Sequence, residues 1–563
     1  MTTTKLGFDA RHILAFAASF AVLVACATTN WNNPNGGDMA TAGNWDAGLP
    51  ASGNNANIAL PVSGPLTLSG NLTGVCDVNI RTNITFDLGV GHTVTVYRTW
   101  TRANSTATLA SGSWKVTDRF FVGDGYSDAT FIVDGANSAL YGSTAASGNY
   151  YIQVGNAGEG SLTSTNNLLL VRNGGLLQGG VIVGRQAKEA NELCGTNTFR
   201  VTGAGSRFVS NHAFYIGCQQ GLSQGIIDDH ATATLSSDVS LGQWLKDPNS
   251  GHYYVGDLNR LLVSGGATLT ASGNAYVGHT SASNLFEVAD GAKVTVANMY
   301  VSYTTNVNVR GGRAPFDNRV VIRGEDSSLT VNNGARLGYV LGSHGDSLMV
   351  VNGASLAASA FTVGVYGHSS RLTVDGGVFS SQGQVTVGST VSASNCVFEV
   401  LNGATATMPR LVFADHAQSC MAVISNATLN VGGYLDLAYN AESSNAKFVV
   451  AGRSGKVRAS GNVRIRNASA KIVFHVPSEG FAETPFVMND FETVTQGATI
   501  EVTADKNWPG GSRQTLVERA NGGSFGTAVR NLTIVCNDDR LRVVRTDDSI
   551  YVRKIGGLVI TFR

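Results

Sequence analysis

Two alternations of apolar and polar positions recur along this chain. One ends in Val-Gly: Phe121-Val122-Gly123, Val154-Gly155, Val183-Gly184, Tyr276-Val277-Gly278, Val363-Gly364 and Val387-Gly388, with Ile216-Gly217, Leu241-Gly242 and Leu337-Gly338 as looser copies. The other closes on Asn-Gly or Asp-Gly: Phe131-Ile132-Val133-Asp134-Gly135, Phe286-Glu287-Val288-Ala289-Asp290-Gly291, Leu372-Thr373-Val374-Asp375-Gly376 and Phe398-Glu399-Val400-Leu401-Asn402-Gly403. A third short alternation follows, as in Thr268-Leu269-Thr270 and Lys293-Val294-Thr295-Val296. Copies lie roughly 24 to 36 residues apart, a period typical of stacked repeats. Period-two alternation sends successive side chains to opposite sides of a strand, and Asn-Gly or Asp-Gly supplies residues that tolerate positive φ at a sharp corner. Strand, corner, strand, corner, strand predicts a right-handed parallel β-helix with three strands per rung. A β-sandwich would not repeat one phrase over this length, and a propeller blade needs four strands where the shortest repeats hold three.

The pattern divides the chain. Lys5, Arg11 and His12 precede an apolar run from Ile13 to Ala25, the anatomy of a signal peptide over 1–27 and too short for a comfortable membrane span. Cleavage after Ala27 and lipidation of Cys26 in a Leu23-Val24-Ala25-Cys26 lipobox both fit; a folded region starting at Trp31 leaves a lipid anchor almost no tether, which favours plain secretion. An aromatic, aperiodic cap with first coils follows over 28–115, then repeats over 116–470. From about Lys471 the texture changes: Ile500-Glu501-Val502, Gln514-Thr515-Leu516-Val517, Leu541-Arg542-Val543-Val544 and Ile550-Tyr551-Val552 suggest antiparallel hairpins closing the end over 471–563. Asp134, Asn173, Asp290, Asn352, Asp375 and Asn402 are expected to form one polar row at one corner, adjacent members roughly 4.8 Å apart. By the same alignment Cys396 and Cys420 occupy equivalent places in neighbouring rungs, expected as buried thiols rather than a bridge.

Composition agrees. The 68 glycines, 10 prolines and 14% charged residues describe many tight turns and little solvated helix. The 39 basic and 39 acidic side chains cancel, giving no overall field for nucleic acid, so the membrane enters only through the Cys26 anchor. No C-x-x-C pair or zinc-type histidine spacing occurs, and the sequence implies no metal or cofactor.

The Tyr-Val-Gly and Asn-Gly-Ala phrases and the opening Gly43-Asn44-Trp45-Asp46-Ala47-Gly48-Leu49-Pro50 resemble bacterial β-helix repeat proteins related to autotransporter passenger domains and to repeats beside exosortase-type sorting signals. Gln514-Thr515-Leu516-Val517 with Gly523-Ser524-Phe525 resembles their terminal module. The resemblance implies an exported surface or extracellular protein. Neither a Pro-Glu-Pro sorting tail nor a run of barrel strands follows the coil, so sorting or self-translocation by those routes is not expected.

Chemistry is harder to find. Parallel β-helices also carry polysaccharide lyases and hydrolases, which need converging carboxylates or calcium ligands. The nearest match, Asp228-Asp229-His230, reads first as a polar corner in the Asn-Gly slot; Gly342-Ser343-His344-Gly345 and Gly367-His368 hold single histidines, and Asp124-Gly125-Tyr126-Ser127-Asp128 lacks further calcium ligands. Extra length instead accumulates just after the Val-Gly strand. Those stretches concentrate Arg185, Lys188 and Glu189, then Trp244, Lys246, Asp247, His252 and Tyr253, then Arg310, Arg313, Asp317 and Arg319. Aromatic and hydrogen-bonding groups along a ridge suit a polysaccharide or a surface protein, while solvated loop growth explains the same composition. The expectation is a non-enzymatic structural or adhesive protein, with a lyase or hydrolase as the alternative.

Overall fold

The computed structural model describes residues 28–50, 54–143, 151–157, 164–185, 195–218, 220–243, 256–304 and 314–555. Strands come in threes, each pairing in parallel with its counterpart in the next rung. Thr130–Asp134, Leu168–Arg172 and Thr198–Thr202 stack on a first face; Ser138–Tyr141, Leu176–Gln178 and Arg207–Ser210 on a second; Ile152–Asn156, Val181–Arg185 and Phe214–Ile216 on a third. This is a parallel β-helix. Alternate residues enter the core, so Phe131, Val133, Leu169, Val171, Phe199 and Val201 are fully buried on the first face. Within one rung Phe199, Phe208 and Phe214 come from all three faces and meet edge to face at 5.0 to 5.5 Å. A rung fills its own cross-section in this way, and pairing with the rungs above and below satisfies its backbone. Outward positions of the second face are mostly hydroxyls: Thr232 and Thr234 align with Thr268 and Thr270, and Thr405 with Thr428.

The corners explain the glycines. The expected polar row does lie at one corner, between first and second faces, but not in one phase. Asn173, Asp290, Asn352 and Asn402 themselves take positive φ, whereas Asp134 and Asp375 sit one residue earlier and leave that conformation to Gly135 and Gly376. The strand register confirms the offset, because Asp134 aligns with Arg172 and Asp375 with Leu401. Either an Asx or a glycine can turn this corner, so spacing alone does not fix which residue does. Offset neighbours still bond: the Asn173 Nδ2 donates to Asp134 Oδ1 at 2.7 Å, and the Asn402 Nδ2 to Asp375 Oδ1 at 2.8 Å.

A second column lies buried where the third face turns into the next rung's first face. The residue just ahead of each first-face strand points inward there: Asn167, Asn197, Ser223, Asn259, Asn284, Asn318, Asp346, Ser370, Cys396 and Cys420. Its amides bond head to tail, Asn259 Nδ2 to Asn284 Oδ1 at 3.0 Å and Asn284 Nδ2 to Asn318 Oδ1 at 2.8 Å. The Val-Gly glycine of the preceding rung faces this column. At Gly278 φ is 74°, and a Cβ would stand 2.1 Å from the Asn318 amide nitrogen. Handedness of the backbone and room for the amide both require glycine there.

Both ends are covered. At the start, Thr28–Asn30 pairs with Asn55–Asn57, and Trp31 and Trp45 pack edge to face at 5.0 Å over the first rung. At the other end the solenoid runs on past Lys471: Lys471–Val476 and Thr499–Ala504 still pair in parallel on the first face, and Thr533–Cys536 closes that ladder. The segment around Ile500 is therefore a rung strand, while Arg513–Arg519, Leu541–Arg545 and Ser549–Lys554 form the antiparallel cap. Gly522-Gly523 and Asp538-Asp539 signal local turns, but parallel pairing joins strands a full rung apart, which such local signals do not report.

Candidate functional site

The third face carries one row pointing away from the core that differs from the other faces, although Phe121, Gln153, Ile182, Ser240, Val412 and Asp436 in it are buried. Strand register aligns Trp100 with Phe121 and Gln153, then Ile182, Tyr215, Ser240, Tyr276, Tyr300 and Arg336, and further on Val412, Asp436 and Arg464. Aromatic rings and guanidinium groups recur along it in three groups. Near the start, Trp100 stacks on Phe121 at 5.4 Å and donates its Nε1 hydrogen to Asp124 Oδ2 at 2.9 Å. The Arg98 and Arg102 guanidinium groups lie 4.9 and 5.4 Å from the Trp100 ring, and Arg102 also covers Tyr126. Flat cations on flat rings hold both side chains in fixed orientations.

The middle group is the densest. Tyr276 stacks on Tyr300 at 5.4 Å with an interplanar angle of 13°, and Tyr303 on Tyr339 at 5.3 Å and 23°. His279 and Tyr303, the last residues of their strands, close the sides of this stack against Tyr276 at 4.7 and 4.9 Å. The Arg336 guanidinium lies 5.5 Å over Tyr300 and donates to its hydroxyl at 3.2 Å. Tyr366 extends the series past Tyr339 and is 44% exposed. Because ring faces are spent on one another, the stack offers solvent its edges and hydroxyls, with open ring area at Tyr366. Burial pushes the Tyr276 phenol up to about 12 and the His279 imidazole down to about 4, so both are neutral near pH 7.

The third group is charged. Asp436 is fully buried although it faces outward, gripped by Arg410 Nη2 at 2.8 Å and Arg464 Nε at 2.6 Å. Arg464 also lies 3.9 Å over Tyr434, and Arg466 lies 4.2 Å over Tyr439. Asp415 stands beside His416 at 3.6 Å and accepts from Asn440 at 2.7 Å; burial raises its carboxyl above the ordinary range.

Among the described sequence-predicted residues, Arg185 lies on this face. The long connections do leave from its end, running from Leu241 to Arg260 and from Tyr303 to Arg319 where the shorter ones run from His279 to Leu285 and from Val363 to Arg371. Lys188, Glu189, Trp244, Lys246, Asp247, His252, Tyr253, Arg310 and Arg313 lie outside the described residues. Arg185 ends a third-face strand paired beside Asn156, and burial lowers its guanidinium pKa; it is embedded at the root of its loop. Arg319 opens a first-face strand beside Leu285 and Ser347, so it belongs to a flat face and not to the loop. Asp317 lies at the turn before it. Asp228, Asp229 and His230 stand at a different corner, between first and second faces. Asp228 is paired with Arg200 at 2.7 Å, and Asp229 and His230 both take positive φ in the Asn-Gly slot. In the next rung Gly265 holds that corner, so the nearest corner carboxylate, Asp290, is two rungs away.

No set of three or more His, Cys, Asp or Glu side chains converges on a metal site among the described residues. A cleft of about 600 Å³ near the start of the first face is lined by Asn83, Thr85, Thr106 and Thr108 with Asp87 as its carboxylate, and Asp87 is bonded to Ser111. Paired carboxylates are absent from that cleft, which general acid–base cleavage of a glycoside requires. The aromatic row was not legible as a site beforehand. Its residues sit at strand positions that read as ordinary solvent-facing alternation, and only their register across rungs puts them in line. No family model matches the chain, and no curated protein is significantly similar to it.

Proposed function

We propose that this is an exported structural or adhesive β-helix protein of the cell surface or extracellular space, holding an extended polysaccharide along its third face with the adjoining corner loops. The observation that carries this reading is the single outward row from Trp100 to Arg464, where rings and guanidinium groups recur and Asp436 is buried under two arginines. The ring edges and the open ring of Tyr366 supply contact area for sugar C–H surfaces at low entropic cost, while Arg side chains and phenol hydroxyls match sugar hydroxyls. The balanced charge, 39 basic against 39 acidic side chains, favours no polyanion in general.

The test offers the purified chain to acidic and neutral polysaccharides, with and without calcium, and scores both retention and new chain ends. Retention is expected on at least one polymer. Tyr300→Ala and Arg336→Ala should each weaken it roughly two- to tenfold, matching ~0.5–1.5 kcal/mol per aromatic contact. Glu399→Gln on the first face should not. Absence of retention on every polymer would end the binding reading. Release of new ends, abolished by Asp229→Ala, would replace it with a lyase or hydrolase.

A further inference from the structure

The buried column at the third corner changes chemistry in the middle of the solenoid. Up to Asn318 its asparagines follow one rule, interrupted once at Ser223, whose Oγ is buried and unpartnered. Each Oδ1 accepts the backbone N–H of the preceding column residue, as Ser223 N to Asn259 at 3.0 Å, Asn259 N to Asn284 at 3.1 Å and Asn284 N to Asn318 at 3.0 Å. Each Nδ2 donates within its own corner or onward along the column, as Asn318 Nδ2 does to Ser302 Oγ at 2.9 Å. Asp346 keeps the acceptor half of this rule. Its Oδ1 takes the Asn318 N–H at 3.2 Å and the Ser302 hydroxyl at 2.5 Å. Its Oδ2 falls in the donor half, where an asparagine would present N–H, and there it is buried and unpartnered; Ser370 Oγ, next in the column, is buried and unpartnered too. An acceptor has been put where the column calls for a donor.

We propose that Asp346 is held as a neutral carboxylic acid whose proton replaces the missing amide donor, making this rung a pH-sensitive joint in a column of amides and hydroxyls from Asn167 to Ser370. Burial and like charge oppose ionisation, against hydrogen bonds from the Ser302 and Ser343 hydroxyls and the Asn318 N–H that favour the carboxylate, and burial is the largest effect. Asp346 is fully buried, and Asp317, at the corner of the preceding rung, adds charge of the same sign. From the strand Met299–Tyr303 the facing group is the Ser302 hydroxyl, and from its own loop the Ser343 hydroxyl. The imidazoles of the adjoining turns, His344 and His368, are stacked on each other and on Phe316 at 5.3 and 5.1 Å. Burial pushes the carboxyl up to about 7. The folded corner therefore binds a proton that the opened corner, with its ordinary carboxylate value of 3.8, releases. Stability of the rung is greatest in acid, falls as pH rises between those two values, and levels off above the upper one.

Hydrogen exchange of the full chain from about pH 5 to about pH 8, read on peptides within 337–371 and corrected for intrinsic rates, tests this. Each protonation-linked opening should become about tenfold more frequent per pH unit until it levels near the upper value. In Asp346→Asn, which restores the amide, and in Asp346→Ser, which copies the next rung, the slope should vanish while peptides around Asn167 and Asn197 stay unchanged. Asp346→Asn should also open less often than the native chain at pH 7. A flat native profile, or a slope that survives in both variants, overturns the proposal. So would weaker protection in both variants at every pH, since it would mean the corner needs the carboxylate. None of these outcomes depends on polysaccharide binding.

Discussion

A glycine and an amide, one rung apart, make the third corner. The Val-Gly phrase was the most visible mark in the sequence, yet half its cause was hidden: the partner is a small polar residue ahead of the first-face strand one rung beyond the next, which reads as loop. Asn167, Asn197, Asn259, Asn284 and Asn318 keep that place without a shared flanking phrase, so only coiling reveals them as a column. Gly278→Ala should therefore cost at least about 1–2 kcal/mol locally, since an L-residue is strained at positive φ and its Cβ would meet the Asn318 amide. Protection lost first around Asn318, by hydrogen exchange, would check it. The cysteines extend the same column, and their equivalence was legible because a fixed interval separates each from its corner asparagine. Val397 pairs with Met421, which places Cys396 and Cys420 in adjacent rungs, and both are free thiols. A hydrogen bond to Cys420 and burial hold the Cys396 thiol well above its usual pKa. Alkylation of both should be slow in the folded protein and complete on unfolding, and a peptide crosslinked between them would contradict the stacked geometry.

At the scale of strands and corners, the faces differ in what they present. On the first face, pairs such as Arg371 with Glu399 at 2.8 Å and Lys471 with Glu501 at 3.3 Å leave the cation about half exposed and contribute little, roughly 0–1 kcal/mol each. The third face is packed differently, with rings on rings and Asp436 under two arginines. Sequence reading assigned recognition to the long loops because their composition stood out, while Tyr276, Tyr300 and Arg336 looked like any outward strand position. Cross-rung register is a non-local quantity, and local alternation does not contain it. The middle stack also has a pH signature. His279 is neutral when folded, its value lowered to about 4 by burial, against 6.5 for an unburied imidazole. The unfolded form binds the extra proton between those values, so protection of Ala275–His279 should fall as pH drops through that interval. His279→Phe should abolish the fall. A pH-independent native profile would mean the imidazole is wetter than its packing implies.

Over the whole molecule, the repeat phrase was enough to predict three strands per rung, because it is a short-range pattern repeated many times, while the aromatic aperiodic start and the change of texture after the repeats marked the two covers. The point where coil gives way to cap was not marked, since Lys471–Val476 and Thr499–Ala504 alternate as earlier rungs do and differ only in the turns between them. A rung cannot bury its edges alone, so the chain behaves as a linear array whose neighbours support one another. That makes its faces long, continuous and nearly flat, a shape suited to an extended polymer rather than a compact ligand. Hydrogen exchange with and without a retained polysaccharide measures this most directly. Added protection is expected only on third-face strands and their corner loops, at Thr99–Thr101, Phe120–Asp124, Ala275–His279, Met299–Tyr303, Leu435–Leu437 and Val463–Ile465, with first-face strands such as Arg371–Asp375 unchanged. Protection concentrated on the first or second face, or at the corner around Asp228 and Asp229, would contradict it.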